Sequence, residues 1–322
     1  MRKRIGFMLL LAGIACAETA PEIPYTSDEP GSGWWQIVSS PTNYLWDNGE
    51  KDEPVDFTIF QDDFDNWQLI ACVRRTKFPT KNKPQGGAGR VLFQWESDDF
   101  FATDWKQVGV LLTPDELAGN SAKAYGLLQA PHMVTKENGV YYMIFNGSEA
   151  HMMTSPNGRD WTQVPTAAGD YNFFNMGRDV MVFDNRDVDG LWYAMYTFDK
   201  YNPNEFKVKY RTAKHLLGPW SDPADYLRED PKSGRNVESP FMVKRDKWYY
   251  LFVNGAVYAQ TSITNQFADP KLTDPGVYGD GGTAPEIIHV DGKDYIAGYG
   301  VGTNIGIRIR PLHWSSVDAL KK

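Results

Sequence analysis

Apolar positions in this chain come in short runs separated by polar turns, and one two-part unit recurs five times. Each unit is a few strand-like residues, a polar turn, and a second run dense in aromatic and branched side chains. The first goes from Asp56 to Phe60, turns at 62–66 and returns from Trp67 to Val73. The second is Ala130-Pro131-His132-Met133-Val134, a turn at Glu137-Asn138-Gly139, then Val140 to Phe145. The third pairs Asp179 to Phe183 with Leu191 to Tyr196, the fourth Pro240 to Val243 with Lys247 to Phe252, and the last Ala284 to Val290 with Lys293 to Ala297. Runs this short, bounded by Gly, Asn and Asp and rich in side chains that pack on pleated surfaces, predict strands.

The segments after these hairpins repeat as well. A third strand and a turn ending in Trp or Phe follow at Ser97 to Trp105, Ser155 to Trp161, His215 to Trp220 and Thr264 to Phe267. Four-stranded sheets repeated radially make a β-propeller, so the expected fold is all-β and five-bladed, with a long insertion in blade one. Asp56, His132, Asp179, Pro240 and Glu286 are read as equivalent start positions. Arg308 to Trp314 is expected to close the ring with blade one. Nothing marks a second domain, so residues 18–322 form a single propeller, and the Lys-, Pro- and Gly-rich stretch 77–89 is a rim loop.

Composition agrees: 322 residues, 42% hydrophobic and 14% aromatic, are ample for a large core. The formal charge of -8 leaves no basic stripe for nucleic acid, which is excluded as a partner. Met1-Arg2-Lys3-Arg4, the apolar run after it and Ala15-Cys16-Ala17 make residues 1–17 a signal peptide, too short to span a bilayer. Export to the periplasm or medium is expected. Gly13-Ile14-Ala15-Cys16 also loosely resembles a lipoprotein cleavage site, which leaves lipid anchoring through Cys16 as an alternative. Cleavage before Glu18 leaves Cys72 as the only cysteine, read as a buried thiol in a strand.

In a propeller the first strand of every blade lines the central channel, so residues distant in sequence converge there. That would bring together Asp56, Asp179 and Glu238, one carboxylate from each of three blades. Glycoside hydrolysis needs a protonated acid at the leaving oxygen and a second carboxylate that activates water or attacks the sugar. A third carboxylate raises the acid's pKa by like charge. Beside them, Arg178 is a candidate sugar clamp, His132 a candidate donor and Glu286 a candidate channel residue. Phe57 and Trp35, with Trp34 and Trp46 nearby, are candidate stacking surfaces. Each has a plainer reading, since an Asp at a strand start is commonly a turn residue and propeller aromatics are commonly core. Asp62, Asp63 and Asp65 resemble a calcium loop but lack its Gly and closing Glu, and read as a solvated turn.

The order and spacing of Val55-Asp56-Phe57, Arg178-Asp179-Val180 and Val237-Glu238-Ser239 resemble glycoside hydrolase family 43, within the furanosidase superfamily, over nearly the whole mature chain. The resemblance implies Asp56 as general base, Asp179 as pKa modulator and Glu238 as general acid. Ala130-Pro131-His132 resembles that family's second-blade Ala-Pro-Asp, with His in place of the acid. Gly177-Arg178-Asp179 is also similar to the Arg-Asp-Pro motif of family 32, a retaining family, and His132 leaves room for a relative of the anhydrogalactosidases of family 117. The channel His that accompanies calcium in many family 43 members is not evident at Gly281-Gly282-Thr283, so no metal site is assigned. No phosphate-cradling loop or zinc spacing indicates a cofactor. The expectation is an exported hydrolase of plant or algal poly- or oligosaccharides, inverting at an arabinofuranoside or xyloside-like pentose linkage. Two alternatives stand beside it, another hydrolase of the superfamily and a noncatalytic carbohydrate-binding propeller. The sequence carries no sign of oligomeric state.

Overall fold

The structure, a computed structural model, describes residues 20–27, 33–41, 53–76, 89–119, 128–147, 149–175, 177–198, 207–228, 237–254, 256–264, 271–273, 283–300 and 306–316. The expected leader, Cys16, Trp46 and Gly281-Gly282 lie outside them. Two short strands, β1 (Ile23–Tyr25) and β2 (Trp35–Val38), precede the first blade. Blade one is β3 (Glu53–Gln61), β4 (Trp67–Thr76), β5 (Gly89–Ser97) and β6 (Lys106–Leu112). Blade two is β7 (Gln129–Glu137), β8 (Val140–Asn146), β9 (Ala150–Ser155) and β10 (Thr162–Gln163). Blade three is β11 (Arg178–Asp184), β12 (Trp192–Phe198), β13 (Lys207–Ala213) and β14 (Ala224–Arg228). Blade four is β15 (Phe241–Arg245), β16 (Trp248–Val253), β17 (Ala256–Gln260) and β18 (Lys271–Thr273). Blade five is β19 (Thr283–Val290), β20 (Lys293–Gly300) and β21 (Gly306–Ser315), extended by β1 and β2. The five antiparallel sheets form a five-bladed β-propeller.

Closure differs from the expectation. The 308–314 segment is the third strand of blade five, and the chain's own N-terminal strands complete that blade, Trp35 pairing Ile309 and Ile23 pairing Ser315. Trp105 N donates to Ile37 O at 2.7 Å, which ties this outer edge to blade one. Covering β21 removes an open edge that would otherwise template aggregation.

The core lies between blades. On β4, Leu69, Ala71 and Val73 pack toward blade five, while Ile70 and Cys72 pack toward blade two. On β12, Trp192, Ala194 and Tyr196 face blade two and Tyr193 and Met195 face blade four. On β16, Tyr249 and Leu251 pack toward blade three while Tyr250 and Phe252 pack toward blade five. Middle strands are buried on both faces, so their sequences read as unbroken apolar runs with no alternation. Cys72 is fully buried, and burial pushes its thiol up to about 12, so it is inert at neutral pH.

One backbone feature repeats in every blade and positions the site. Asp56, Ala130, Asp179, Ser239 and Ala284 have φ of 42°, 48°, 56°, 56° and 51°. These are left-handed conformations at non-glycine residues, each costing on the order of 1 kcal/mol. In blades one, two, three and five they coincide with a break in ladder register between the first and second strands. The bulge turns these residues out of the ladder, and all five line the same channel pocket.

Candidate active site

Aligned on the left-handed residue, the true equivalents are Asp56, Ala130, Asp179, Ser239 and Ala284. This corrects the expected start positions in three blades: His132 and Glu286 lie two residues further along, and Pro240 one. Glu238 therefore matches Arg178, not the two aspartates. The offset matters because one residue of shift in an extended chain redirects a side chain. Asp56 and Asp179 line the inner pocket together with Phe57, His132, Ser239, Phe241 and Glu286. Arg178 and Glu238 face each other beside it, with Nη2 2.7 Å from Oε1.

Side chains from preceding blades hold these segments. Thr197, on β12, donates its hydroxyl to Asp179 Oδ2 at 3.2 Å and accepts from Ser239 N at 3.0 Å. Ser239 Oγ also donates to Asp179 Oδ2, at 3.4 Å. Asn146 Nδ2 donates to Gly177 O at 3.1 Å, and Asn254 accepts from Ala284 N at 2.9 Å through its side chain while its own N–H donates to Glu238 O at 2.9 Å. The ends of the middle strands of blades two, three and four thus each latch the start of the next blade. Gly177 has no room for a side chain: a Cβ there would lie 2.0 Å from Thr197 O.

Burial pushes the Asp56 carboxyl up to about 7, with Asp179 and Glu238 adding like charge and Arg90 and Arg74 opposing it. Asp179 is also raised, again chiefly by burial, against the pull of Arg178 and its hydroxyl donors. Asp179 and Glu238 are therefore both within electrostatic reach of Asp56. The space left for water-sized molecules in the inner pocket is about 40 Å³, room for a few waters.

His132, Phe241 and Glu286 form the pocket floor. His132 Nδ1 is 3.7 Å from Glu286 Oε1, and Ile59 N donates to Glu286 Oε2 at 3.1 Å. Burial raises the Glu286 carboxyl, with His132 the main opposing influence. Below this floor the channel reopens into a cavity of about 360 Å³ bounded by Thr58, Gln61, Trp67 and Ile288.

Trp35 is not brought to the site. It stands on the outermost strand of blade five and packs edge-on against Tyr295, with ring centroids 6.2 Å apart. Phe57 lines the pocket but is only 3% exposed and belongs to the layer between blades five and one. Asp62 is not a solvated turn residue: it accepts from Phe64 N at 2.8 Å, Asn66 N at 3.0 Å, Gln68 Nε2 at 2.7 Å and Arg159 Nε at 2.5 Å, joining blades one and two. Among the described residues no group of three or more His, Cys, Asp or Glu is arranged to hold a metal ion. Nor is any helix long and apolar enough to cross a membrane.

Sequence reasoning missed Ser239, Thr197, Phe241 and the arginine pair Arg74 and Arg90. One signal was present. Ala130-Pro131, Ser239-Pro240 and Ala284-Pro285 place a small residue before proline at three of the five left-handed positions.

No protein-family model matches the chain, and no curated protein matches it in sequence. Solved structures match its fold. An endo-arabinase from Bacteroides thetaiotaomicron superposes with a TM-score of 0.57 at 12% identity, covering 87% of this chain and 98% of its own. A family 117 glycoside hydrolase of the marine bacterium Zobellia galactanivorans gives 0.57 at 12% identity, covering 89% and 91%. A thermostable family 43 glycoside hydrolase gives 0.54 at 15% identity, covering 86% and 92%. The chain has the five-bladed propeller fold of these glycoside hydrolases over most of its length.

Proposed function

We propose that this protein is a glycoside hydrolase acting on a plant or algal poly- or oligosaccharide, with Asp56 as general base, Glu238 as general acid and Asp179 as the group that tunes and positions them. The observation that carries the reading is the meeting of three carboxylates from three blades at one end of the channel. Two of them, Asp179 buried and Asp56 partly buried, are raised in pKa and held in left-handed backbone. Titrating carboxyls placed in a cleft mark chemistry more than structure, because the burial that raises them costs stability.

The steps follow from position. Glu238 lies beside Arg178 and gives its proton to the leaving glycosidic oxygen as the bond from the anomeric carbon breaks, the electron pair going to that oxygen. A water in the small inner pocket attacks the anomeric carbon from the Asp56 side and passes its proton to the Asp56 carboxylate. Solvent exchange then returns both groups to their starting states, and one water is consumed per bond cleaved. Inversion by direct attack of this water is the route proposed, and the glycone is read as an arabinofuranoside or similar pentose. Residues 1–17 support export as part of the same reading.

The test is product chromatography of the purified protein against arabinans, xylans, fructans and algal galactans, beside Glu238→Gln. Sugar release by wild type and not by the variant is expected. Binding of the same polysaccharides without release by either protein would make this a carbohydrate-binding propeller.

A further inference from the structure

The hydrolase reading asks Glu238 to hold a proton, yet the structure sets a guanidinium against it at 2.7 Å. An arginine in hydrogen-bond contact stabilises the carboxylate and opposes protonation, and a charge-assisted bond of this kind is among the stronger ones in proteins. With Arg178 in that position the contact favours the ionised form of Glu238. A substrate group that competes for the guanidinium would relieve it.

The surroundings say what kind of group that is. Arg178 is partly open, its side chain 32% exposed against 16% for Glu238. Arg74 and Arg90 face one another on β4 and β5, a like-charge pair that costs energy unless a counter-charge is nearby. Glu53 takes Arg74 in an ion pair, and both arginines act on the Asp56 carboxyl. Three guanidinium groups, Arg178, Arg74 and Arg90, thus stand among the carboxylates Asp56, Asp179, Glu238 and Glu53 at one end of the channel. The planar fork of arginine matches carboxylate and sulfate oxygens in two parallel bonds, which a neutral hydroxyl cannot supply.

We propose, resting on the hydrolase reading, that the sugar on the leaving side of the scissile bond carries an oxyanion, a carboxylate or a sulfate ester. This group draws Arg178 off Glu238 and so frees the acid to take up its proton. The cleaved glycone can be a neutral pentose while its neighbour is anionic. Arg178 then acts twice, as the specificity contact for the leaving-side sugar and as the latch that keeps Glu238 ionised until that sugar arrives.

The experiment uses three substrates with one glycone, an arabinofuranosyl group linked to galacturonate, to galactose 6-sulfate and to galactose, assayed with wild type, Arg178→Gln and Arg178→Lys. Wild type is expected to prefer an anionic substrate over the galactose one by at least about tenfold in kcat/KM, and the better anion identifies carboxylate or sulfate as the natural group. Arg178→Gln loses that preference and turns over the galactose substrate faster than wild type, because Glu238 is no longer held as an anion. Arg178→Lys, which keeps the charge without the fork, falls between. Equal wild-type rates on all three, or equal losses on all three in Arg178→Gln, overturn the proposal and leave the hydrolase reading intact. If none is cleaved, calorimetry with free galacturonate, galactose 6-sulfate and galactose decides the oxyanion site separately. Binding of an anionic sugar that Arg178→Gln abolishes supports it, and no preference for either anion over galactose overturns it.

Discussion

Arg178 Nη2 and Glu238 Oε1 are 2.7 Å apart, and the two residues occupy the same position in adjacent blades, one residue before the left-handed turn. Repetition of the blade therefore supplies an acid and its cationic partner from equivalent places, while Asp56 and Asp179 come from the next place along. Four site residues are thus set by two consecutive positions of one motif.

The first expectation concerns pH. Asp56 must be ionised to act as base, so the acid limb of kcat/KM should fall about tenfold per unit below pH ~7. Asp179→Asn removes a like charge beside Asp56 and should move this acid limb to lower pH while reducing the rate. Burial is the larger cause of the shift, so the limb should stay above the ordinary carboxylate range. An unmoved limb in Asp179→Asn would separate the two carboxyls.

The same group costs stability. Its folded pKa of about 7 lies above the ordinary 3.8, so between these values the folded state binds a proton that the unfolded state does not. Stability therefore falls as pH rises from about 4 to about 7, and the full penalty remains above that. Asp56→Asn should be inactive yet melt higher than wild type at pH 8 and equally at pH 4. About 2 °C is expected for each kcal/mol recovered. Calorimetry at the two pH values checks the sign.

Thr197→Val should separate support from chemistry. It leaves the Ser239 N–H without its acceptor and removes a donor to Asp179, at a cost of about 1–3 kcal/mol. A lower Tm and a lower kcat are expected, with Thr197→Ser restoring both. A variant of unchanged kcat would show that the latch serves the fold alone.

Gly177→Ala should be more damaging than any of these. The added Cβ would meet the backbone carbonyl of Thr197 at 2.0 Å, which no flexible side chain can relieve, so the strand carrying Arg178 and Asp179 must move. Loss of soluble protein, or a Tm at least about 6 °C lower, is the expected outcome, corresponding to a cost of ~3 kcal/mol or more.

The fold was legible because the blades repeat chemically. Trp192 to Tyr196 and Trp248 to Phe252 are apolar at every position since each middle strand is covered on both sides, and that pattern survives without knowledge of the partner. Closure was not legible. β1 and β2 are three and four residues long, and their place on β21 is decided by pairing with a strand some 270 residues away or more.

Their places at strand starts pointed to Asp56, His132, Asp179 and Glu286, which line the channel pocket, and to Arg178 and Glu238, which pair beside it. Trp35 was misplaced because an aromatic before the first blade carries no mark of the blade it will join. It joins the last. Thr197 and Asn254 were invisible, since a polar residue at a strand end looks like any other until the next blade is laid against it. The Arg178 to Glu238 contact was equally hidden, because nothing in a sequence says which of several charges will face which.

The most direct test of the hydrolytic site is proton NMR of the first sugar released, read before mutarotation mixes the anomers. With Asp56 delivering water on the face opposite Glu238, the product should appear first in the configuration inverted from the substrate, and Asp56→Asn should release none. First appearance of the retained anomer, or undiminished release by Asp56→Asn, would contradict the roles assigned to these two carboxyls.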